Sequence, residues 1–113
     1  MANIIEWYRG DSYPKGYTIV NEDTQLPVDL TGYSFKFTVD ERKNPDDAST
    51  QKFQVVGAVD IDPTTGKVTF TPSPTHTDLE PKSYYYDIEM TDAASHKRTI
   101  RKDKFKVVQD ITK

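Results

Sequence analysis

The chain has 113 residues, a formal net charge of −3 and no cysteine. This length suits a single domain over residues 1–113 with one modest core, and a chain without cysteine forms neither disulfides nor thiolate metal sites. The slight negative charge gives no general attraction to nucleic acid, so nucleic acid is not an expected partner. No apolar run approaches the roughly 20 residues of a membrane helix, so a membrane is not an expected partner either.

β-branched and aromatic residues dominate the composition. Thr, Val and Ile far outnumber Leu and Ala, and the chain has 7 Tyr and 5 Phe. These side chains suit the half-buried surface of a pleated sheet, whereas Leu and Ala favour helices. Because no stretch shows a clear 3.6-residue apolar period, we expect an all-β chain with no long helix.

In chain order, the apolar alternation predicts a series of short strands. They cover residues 4–8, 17–21, 33–39, 53–59, 67–71, 84–90, 97–101 and 104–108. A period of two with one apolar face is typical of a sheet that buries one side. The apolar faces are predicted to bury Phe35, Phe37, Tyr84, Tyr86, Ile88 and Phe105, with Tyr33, Val39 and Met90 on the same sides.

The segments between the strands contain turn signals. Residues 62–66 predict the turn of a hairpin, since Pro63 presets φ and Gly66 can take positive φ. Residues 40–50 are polar and predict a surface loop, and residues 72–78 predict a crossing between sheets with one helical turn near 75–79. Turns at this frequency point to a sandwich or a barrel.

A local motif narrows this choice. The step from Leu79 and Pro81 into Tyr84 resembles the tyrosine corner of immunoglobulin-like sandwiches, in which the tyrosine hydroxyl bonds to upstream backbone. We therefore expect an immunoglobulin-like antiparallel β-sandwich of seven to nine strands.

The histidines are the first candidates for chemistry. His76 and His96 have Asp78 and Asp92 nearby in sequence, but neither has the spacing of a metal ligand pair. No G-x-S-x-G elbow is present, although a Ser-His-Asp site could still assemble in space. We interpret both histidines as solvated loop residues and expect no catalytic, metal or cofactor site.

Two charged segments also have functional alternatives. Asp60-Ile61-Asp62 with Gly66 resembles part of a calcium loop, but Thr64 stands where an acid is usual, and we favour the hairpin turn. The basic cluster consists of Lys97, Arg98, Arg101, Lys102, Lys104 and Lys106. Such a stripe can bind phosphate backbones, but edge strands also use Lys to block open pairing, so we expect solvation or protein contacts.

Several short signatures stand in a fixed order along the chain. They are Arg9-Gly10-Asp11-Ser12-Tyr13-Pro14, Val28-Asp29-Leu30-Thr31-Gly32, Phe35-Lys36-Phe37-Thr38-Val39, Gly66-Lys67-Val68-Thr69-Phe70, Leu79-Glu80-Pro81, Tyr84-Tyr85-Tyr86-Asp87-Ile88 and Phe105-Lys106-Val107-Val108-Gln109-Asp110-Ile111-Thr112. Their order resembles the N-terminal domain of phage baseplate upper proteins and related small immunoglobulin-like virion proteins of tailed phages. The resemblance spans nearly the whole chain.

The resemblance also bears on Arg9-Gly10-Asp11. The tripeptide matches integrin ligands, but three residues have a high false-positive rate. The family commonly has a similar run after its first strand, which implies a structural role. Gly10 would then allow a sharp bend, and Asp11 would accept backbone N–H bonds in the turn.

The function implied by the resemblance is that of a structural protein of a tailed-phage virion, in the tail, baseplate or neck. It would act by protein–protein assembly, not as an enzyme. Its partners would be other virion proteins and further copies in a homo-oligomer or ring, and its location the virion after synthesis in the bacterial host cytoplasm. We expect partner contacts from the first strand, the 40–50 loop and the tail, with the candidates Ile4, Ile5, Trp7, Asp46, Asp47 and Ile111.

Three alternatives remain open at this point. Capsid decoration is the alternative within the virion class. A carbohydrate- or receptor-binding module would show exposed aromatics beside Asp or Asn on loops, whereas assembly would show an apolar patch with flanking charge. An enzyme would show a deep pocket with a perturbed histidine.

Overall fold

The computed structural model describes residues 4–109, the side chain of Ala48 excepted. Within this range the chain forms eight strands in two sheets. The strands are β1 (Ile5–Tyr8), β2 (Lys15–Thr18), β3 (Ser34–Asp40), β4 (Gln51–Val56), β5 (Ala58–Val59), β6 (Lys67–Phe70), β7 (Ser83–Thr91) and β8 (Lys97–Val108). The connections contain two 3₁₀ turns, Ala48–Thr50 and Pro63–Thr65, and one helical turn, α1 (Pro74–Thr77).

The two sheets form a sandwich with the strand orders β1-β8-β7-β3-β4 and β2-β6-β5. This is the immunoglobulin-like β-sandwich that the sequence predicts, with a strand number inside the expected range. Neighbouring strands run antiparallel except β1 and β8, which are parallel with Ile5 opposite Phe105. A parallel pair needs a long crossover, and nearly the whole chain lies between these two strands.

The chain changes sheets at Gly57, so the single strand predicted over residues 53–59 is two strands. The Gly57 N–H donates to the Phe35 carbonyl oxygen across 2.8 Å. A Cβ at this position would lie within 2.9 Å of side-chain atoms of Phe35, Val68 and Phe70. Because only glycine fits here, the backbone can cross between the sheets at this point.

The two strands predicted over residues 97–101 and 104–108 are one continuous strand, β8. Opposite β7 its register shifts, because Ile88 pairs with Arg101 whereas Glu89 pairs with Thr99. Ile100 is the extra residue of this β-bulge. A bulge interrupts the alternation of faces, which is why one strand has the sequence pattern of two.

The core lies between the two sheets around Phe37. The centroid of its ring lies 5.2 Å from that of Tyr86, 5.6 Å from that of Phe70 and 6.1 Å from that of Phe105. All the residues predicted for the core are buried, namely Phe35, Phe37, Tyr84, Tyr86, Ile88 and Phe105. Tyr33 and Met90, at the strand ends, are half-buried.

The crossing from β6 to β7 contains the predicted helical turn, which begins at Pro74, one residue earlier than expected. The Ser73 hydroxyl accepts the His76 N–H across 3.2 Å and so caps the turn. In the described part of the chain, no helix is long and apolar enough to cross a lipid bilayer.

The tyrosine corner is confirmed directly after this turn. Tyr84 is buried, and its hydroxyl donates to the backbone carbonyl oxygen of Glu80 across 2.8 Å. The bond closes the corner where the chain enters β7, as the motif predicts.

Candidate functional site

Two of the predicted contact residues on β1 are part of the core. Ile5 is 7% exposed and Trp7 is 2% exposed, because their side chains point between the sheets. Trp7 also stacks on Tyr13 at 4.0 Å between ring centroids. Ile5 and Trp7 therefore stabilise the domain itself, and the prediction that they contact a partner is wrong. Ile4 and Tyr8, on the opposite face, are about half exposed.

The other predicted contacts lie in the 40–50 loop and the tail. Asp46 and Asp47 are exposed, as expected for a contact surface. The Asp47 carboxylate accepts the Ser49 N–H across 2.9 Å, and hydrogen bonds from Ser49 hold the pKa of Asp47 below its usual range. Buried Asp40 anchors the loop by accepting from the Thr50 hydroxyl and the Arg42 N–H. Ile111 lies outside the described residues.

The Arg9-Gly10-Asp11 segment forms a bend, as predicted, with φ at +82° in Gly10. The bonding of Asp11 differs from the expectation. Its backbone carbonyl oxygen accepts from Trp7 Nε1 at 2.9 Å and from the Thr77 hydroxyl at 2.7 Å. The main chain of Asp11 therefore ties β1 to α1, and the segment has a structural role.

His76 is not the solvated loop residue that the sequence predicts. Its Nδ1 accepts the Ser73 N–H across 3.2 Å, which completes a capping box, and its ring stacks on Phe53 at 5.3 Å between centroids. Both contacts are structural. His96, by contrast, is exposed, with Nδ1 at 3.5 Å from an Asp92 carboxylate oxygen.

The hairpin turn predicted over residues 62–66 is confirmed, and the whole connection between β5 and β6 covers residues 60–66. Asp62 caps the 3₁₀ turn by accepting the Thr64 N–H, and Gly66 takes φ of +69°. In this connection Ile61 is fully exposed and stands between Asp60 and Asp62. We call residues 60–62 the Ile61 tip. Across residues 4–109, no three His, Asp or Glu side chains are placed to hold a metal ion.

A small cleft lies on the outer face of the five-stranded sheet, beneath the 40–50 loop. We call it the outer-face cleft; its volume is about 190 Å³, and its lining includes Tyr85, Asp87, Lys102 and Asp47. Lys102 Nζ donates to the Asn44 side-chain oxygen across 2.8 Å, which holds the loop over the sheet. Burial raises the pKa of the Asp87 carboxyl, and the charge of Glu89 adds to the rise.

A larger opening, the intersheet groove, runs between β2 and the first half of β8. Its volume is about 760 Å³. It is open because β1 pairs only with Phe105–Val108 of β8, so that among the described residues no strand covers the β8 edge over residues 97–101. The floor contains the buried side chains of Val68, Phe70 and Ile88 and the half-buried side chains of Ile19, Val28, Tyr33, Met90 and Ile100.

The walls of the intersheet groove are charged. Arg98 and Arg101 line it from β8, and Glu22 and Asp23 line it from the loop after β2. The Arg101 guanidinium lies over the Tyr17 ring, 4.8 Å from its centroid. Burial raises the pKa of Tyr17, while the positive charge of Arg101 opposes the rise. The groove is thus apolar at its floor and cationic along β8.

The basic cluster is divided between the two faces of β8. Lys102, Lys104 and Lys106 are exposed, whereas Arg98 and Arg101, which stand on either side of the bulge at Ile100, line the intersheet groove. The sequence shows the cluster, but it does not show the groove. The sequence signal that bears on this region is the pair Arg98 and Arg101, since charged residues pointing inward are typical of open strand edges, but it indicates an open edge and not a groove.

Comparison with known proteins gives no family for this chain. No protein-family model matches the sequence, and no curated protein matches it.

Proposed function

We propose that this chain is a structural protein of a tailed-phage virion, located in the tail, baseplate or neck, and that it acts by assembly with other virion proteins. The proposal starts from the ordered signatures that resemble baseplate upper proteins. The observation that supports it best is the intersheet groove, an apolar floor with charged walls on an immunoglobulin-like sandwich. Apolar surface with flanking charge is typical of protein–protein contact sites.

Exposed apolar side chains elsewhere on the chain support the same function. Ile61 is fully exposed and Leu26 is 63% exposed. They lie on a turn and on a loop, where neighbours in an assembly can reach them. Single exposed apolar residues are common, but an Ile held at the end of an ordered turn is suited to insertion into a partner.

The outer-face cleft favours a second candidate function, a carbohydrate-binding module. Tyr85 lies there beside Asp47 and Asp87, so an aromatic ring and carboxylates share one opening. A sugar ring could stack on the tyrosine and bond to the acids. A glycan array with the purified chain tests this function, with Tyr85→Ala as the variant that abolishes any specific signal.

Quantitative mass spectrometry of purified particles tests the proposed function. The particles come from the phage or prophage that encodes the chain, and are separated from free protein by a density gradient. We expect the chain to sediment with the particles at a copy number that is a multiple of the tail symmetry. A chain found only in the free-protein fraction would contradict the structural role.

A further inference from the structure

We infer that the Ile61 tip of one copy docks into the intersheet groove of a second copy, so that the chains assemble head to tail. This inference rests on the proposed function, since it names the contact by which copies of the chain would join. It identifies the occupant of the groove as residues 60–62 of another copy. The following observations lead to it.

The Ile61 tip is ordered by its own hydrogen bonds. The Asp60 carboxylate accepts the Ile61 N–H at 2.9 Å and the Thr65 hydroxyl at 2.9 Å. The Asp62 carboxylate accepts the Thr64 N–H at 3.1 Å and the Thr64 hydroxyl at 2.6 Å. A preformed tip loses little conformational entropy on binding, so the exposed Ile61 side chain is ready to be buried.

The intersheet groove has the chemistry that such a tip needs. Half-buried apolar side chains such as Met90 and Ile100 offer contacts for Ile61. Arg98 and Arg101 on the β8 wall can pair with Asp60 and Asp62, which flank Ile61. Arg98 is exposed and forms no ion pair with a carboxylate among the described residues, whereas Arg101 already lies over the Tyr17 ring. Arg98 is therefore the arginine that is available for this pairing.

The second wall of the groove and the second arm of the turn are also complementary in charge. Glu22 and Asp23 line the groove from the loop after β2. Exposed Lys67 stands on the returning arm of the turn that forms the Ile61 tip, where its backbone carbonyl accepts the Asp60 N–H. The turn therefore presents acids on one arm and a lysine on the other, complementary to a groove that is cationic on one wall and acidic on the other.

The positions of the two surfaces determine the kind of assembly. The three-stranded sheet has the order β2-β6-β5, with the groove beside β2 and the tip at the end of β5. The Ile61 tip is not part of the lining of the groove in its own chain, so one chain can use both surfaces at once. Such a heterologous contact repeats from copy to copy and gives a ring when the rotation closes.

Self-association of point variants is the first test, measured by analytical ultracentrifugation over a range of concentrations. Ile61→Ser and Arg98→Glu are each expected to weaken association by at least about tenfold, the loss for withdrawing one large apolar side chain or reversing one charge at a contact. Val56→Ser and Lys106→Glu are the matched controls, since each alters an exposed residue away from the groove. An Ile61→Ser variant that associates as Val56→Ser does would overturn the inference.

Cysteine cross-linking provides the second test, because the natural chain has no cysteine. The variant Ile61→Cys with Thr99→Cys should form a ladder of disulfide-linked multimers under mild oxidation. The control Ile61→Cys with Lys52→Cys, on the outer face of β4, should not. Wild-type chains that stay monomeric, together with no ladder from the groove variant, would overturn the inference.

The two proposals fail separately. If the chain is present in particles but its self-association is unchanged in Ile61→Ser and Arg98→Glu, only the docking is rejected. A chain that associates through the Ile61 tip but is absent from particles would reject the virion role alone. Mixing Ile61→Lys with Arg98→Glu adds a complementation test, because the unaltered tip of the Arg98→Glu chain can dock into the unaltered groove of the Ile61→Lys chain. The mixture should associate more tightly than either variant by itself.

Discussion

The hydroxyl of Tyr84 donates a hydrogen bond to the carbonyl oxygen of Glu80 across 2.8 Å. The Tyr84 side chain is buried, so the bond joins the core to the backbone of the corner that leads into β7. This contact fixes the path of the chain between the two sheets. It is also the clearest local feature of the fold that the sequence alone predicts.

Tyr84→Phe should destabilise the domain by about 0.5–1.5 kcal/mol, since it removes the hydroxyl while keeping the ring. Urea unfolding followed by fluorescence measures this change. Tyr85→Phe is the matched control, because Tyr85 lies on the outer face and this variant should lose little free energy of unfolding. Equal stability of the two variants would show that the corner bond contributes nothing.

Phe37→Ala should cost roughly 3–5 kcal/mol, because Phe37 lies at the centre of the aromatic core and its removal leaves a cavity. A loss of this size is enough to unfold a domain of ordinary stability. Circular dichroism during heating measures it. Lys36→Ala, one residue earlier on the exposed face of β3, should leave the melting temperature nearly unchanged, and the reverse ranking would contradict the assignment of faces.

His76→Ala should destabilise the domain by about 1–2 kcal/mol, since the variant loses both the capping box and the stack on Phe53. His96→Ala should change the free energy of unfolding by less than about 0.5 kcal/mol, because that side chain is largely exposed. Chemical denaturation of the two variants side by side makes the comparison. Equal losses would show that the contacts of His76 are not stabilising.

Asp87→Asn should raise the melting temperature at about pH 7 and have no effect at about pH 3. Burial raises the pKa of Asp87 above the ordinary value of 3.8, so the folded state binds more protons than the unfolded state just above that pH. Stability therefore falls as the pH rises through this window, and the charged carboxylate is a net cost at neutral pH. Thermal melts across the pH range measure the effect.

Asp92→Asn serves as the comparison of opposite sign. The His96 N–H, which donates to the Asp92 carboxylate, is the main cause that holds the pKa of Asp92 below its usual range. The charged form then stabilises the fold above the unfolded pKa, and that contribution is lost as the pH falls through the folded value. Asp92→Asn should lower the melting temperature at about pH 7, so a shift of the same sign in both variants would refute this pair of predictions.

The parts of the fold that local patterns determine could be predicted from the sequence. The alternation in β3 and β7 identifies which side is buried, because the apolar residues of each strand, Tyr85 excepted, lie on one face. The turn at Gly66 and the corner at Tyr84 depend on residues close together in the chain. These features are confirmed with small shifts in their boundaries.

Other features depend on contacts between distant segments. Ile4, Ile5, Trp7 and Tyr8 place apolar residues on both faces of β1, so alternation cannot decide which pair is buried. The crossing at Gly57 depends on Phe35 and Phe70, which belong to two different sheets.

The intersheet groove could not be predicted for the same reason. It exists because β1 covers only part of β8, which is a property of the sheet arrangement. The bulge at Ile100 then turns Arg98 and Arg101 toward the opening, and bulges leave little trace in a sequence pattern. A groove formed by two sheets therefore becomes visible only in the structure.

A density map of the intact particle tests the virion role most directly. Fitting the sandwich, with its two sheets and the tyrosine corner, should place copies of the chain in a ring at the tail, baseplate or neck. The intersheet groove of each copy should be covered by a neighbouring protein. Copies on the capsid surface would instead indicate decoration, and a map in which every density is assigned to other proteins would contradict the structural role.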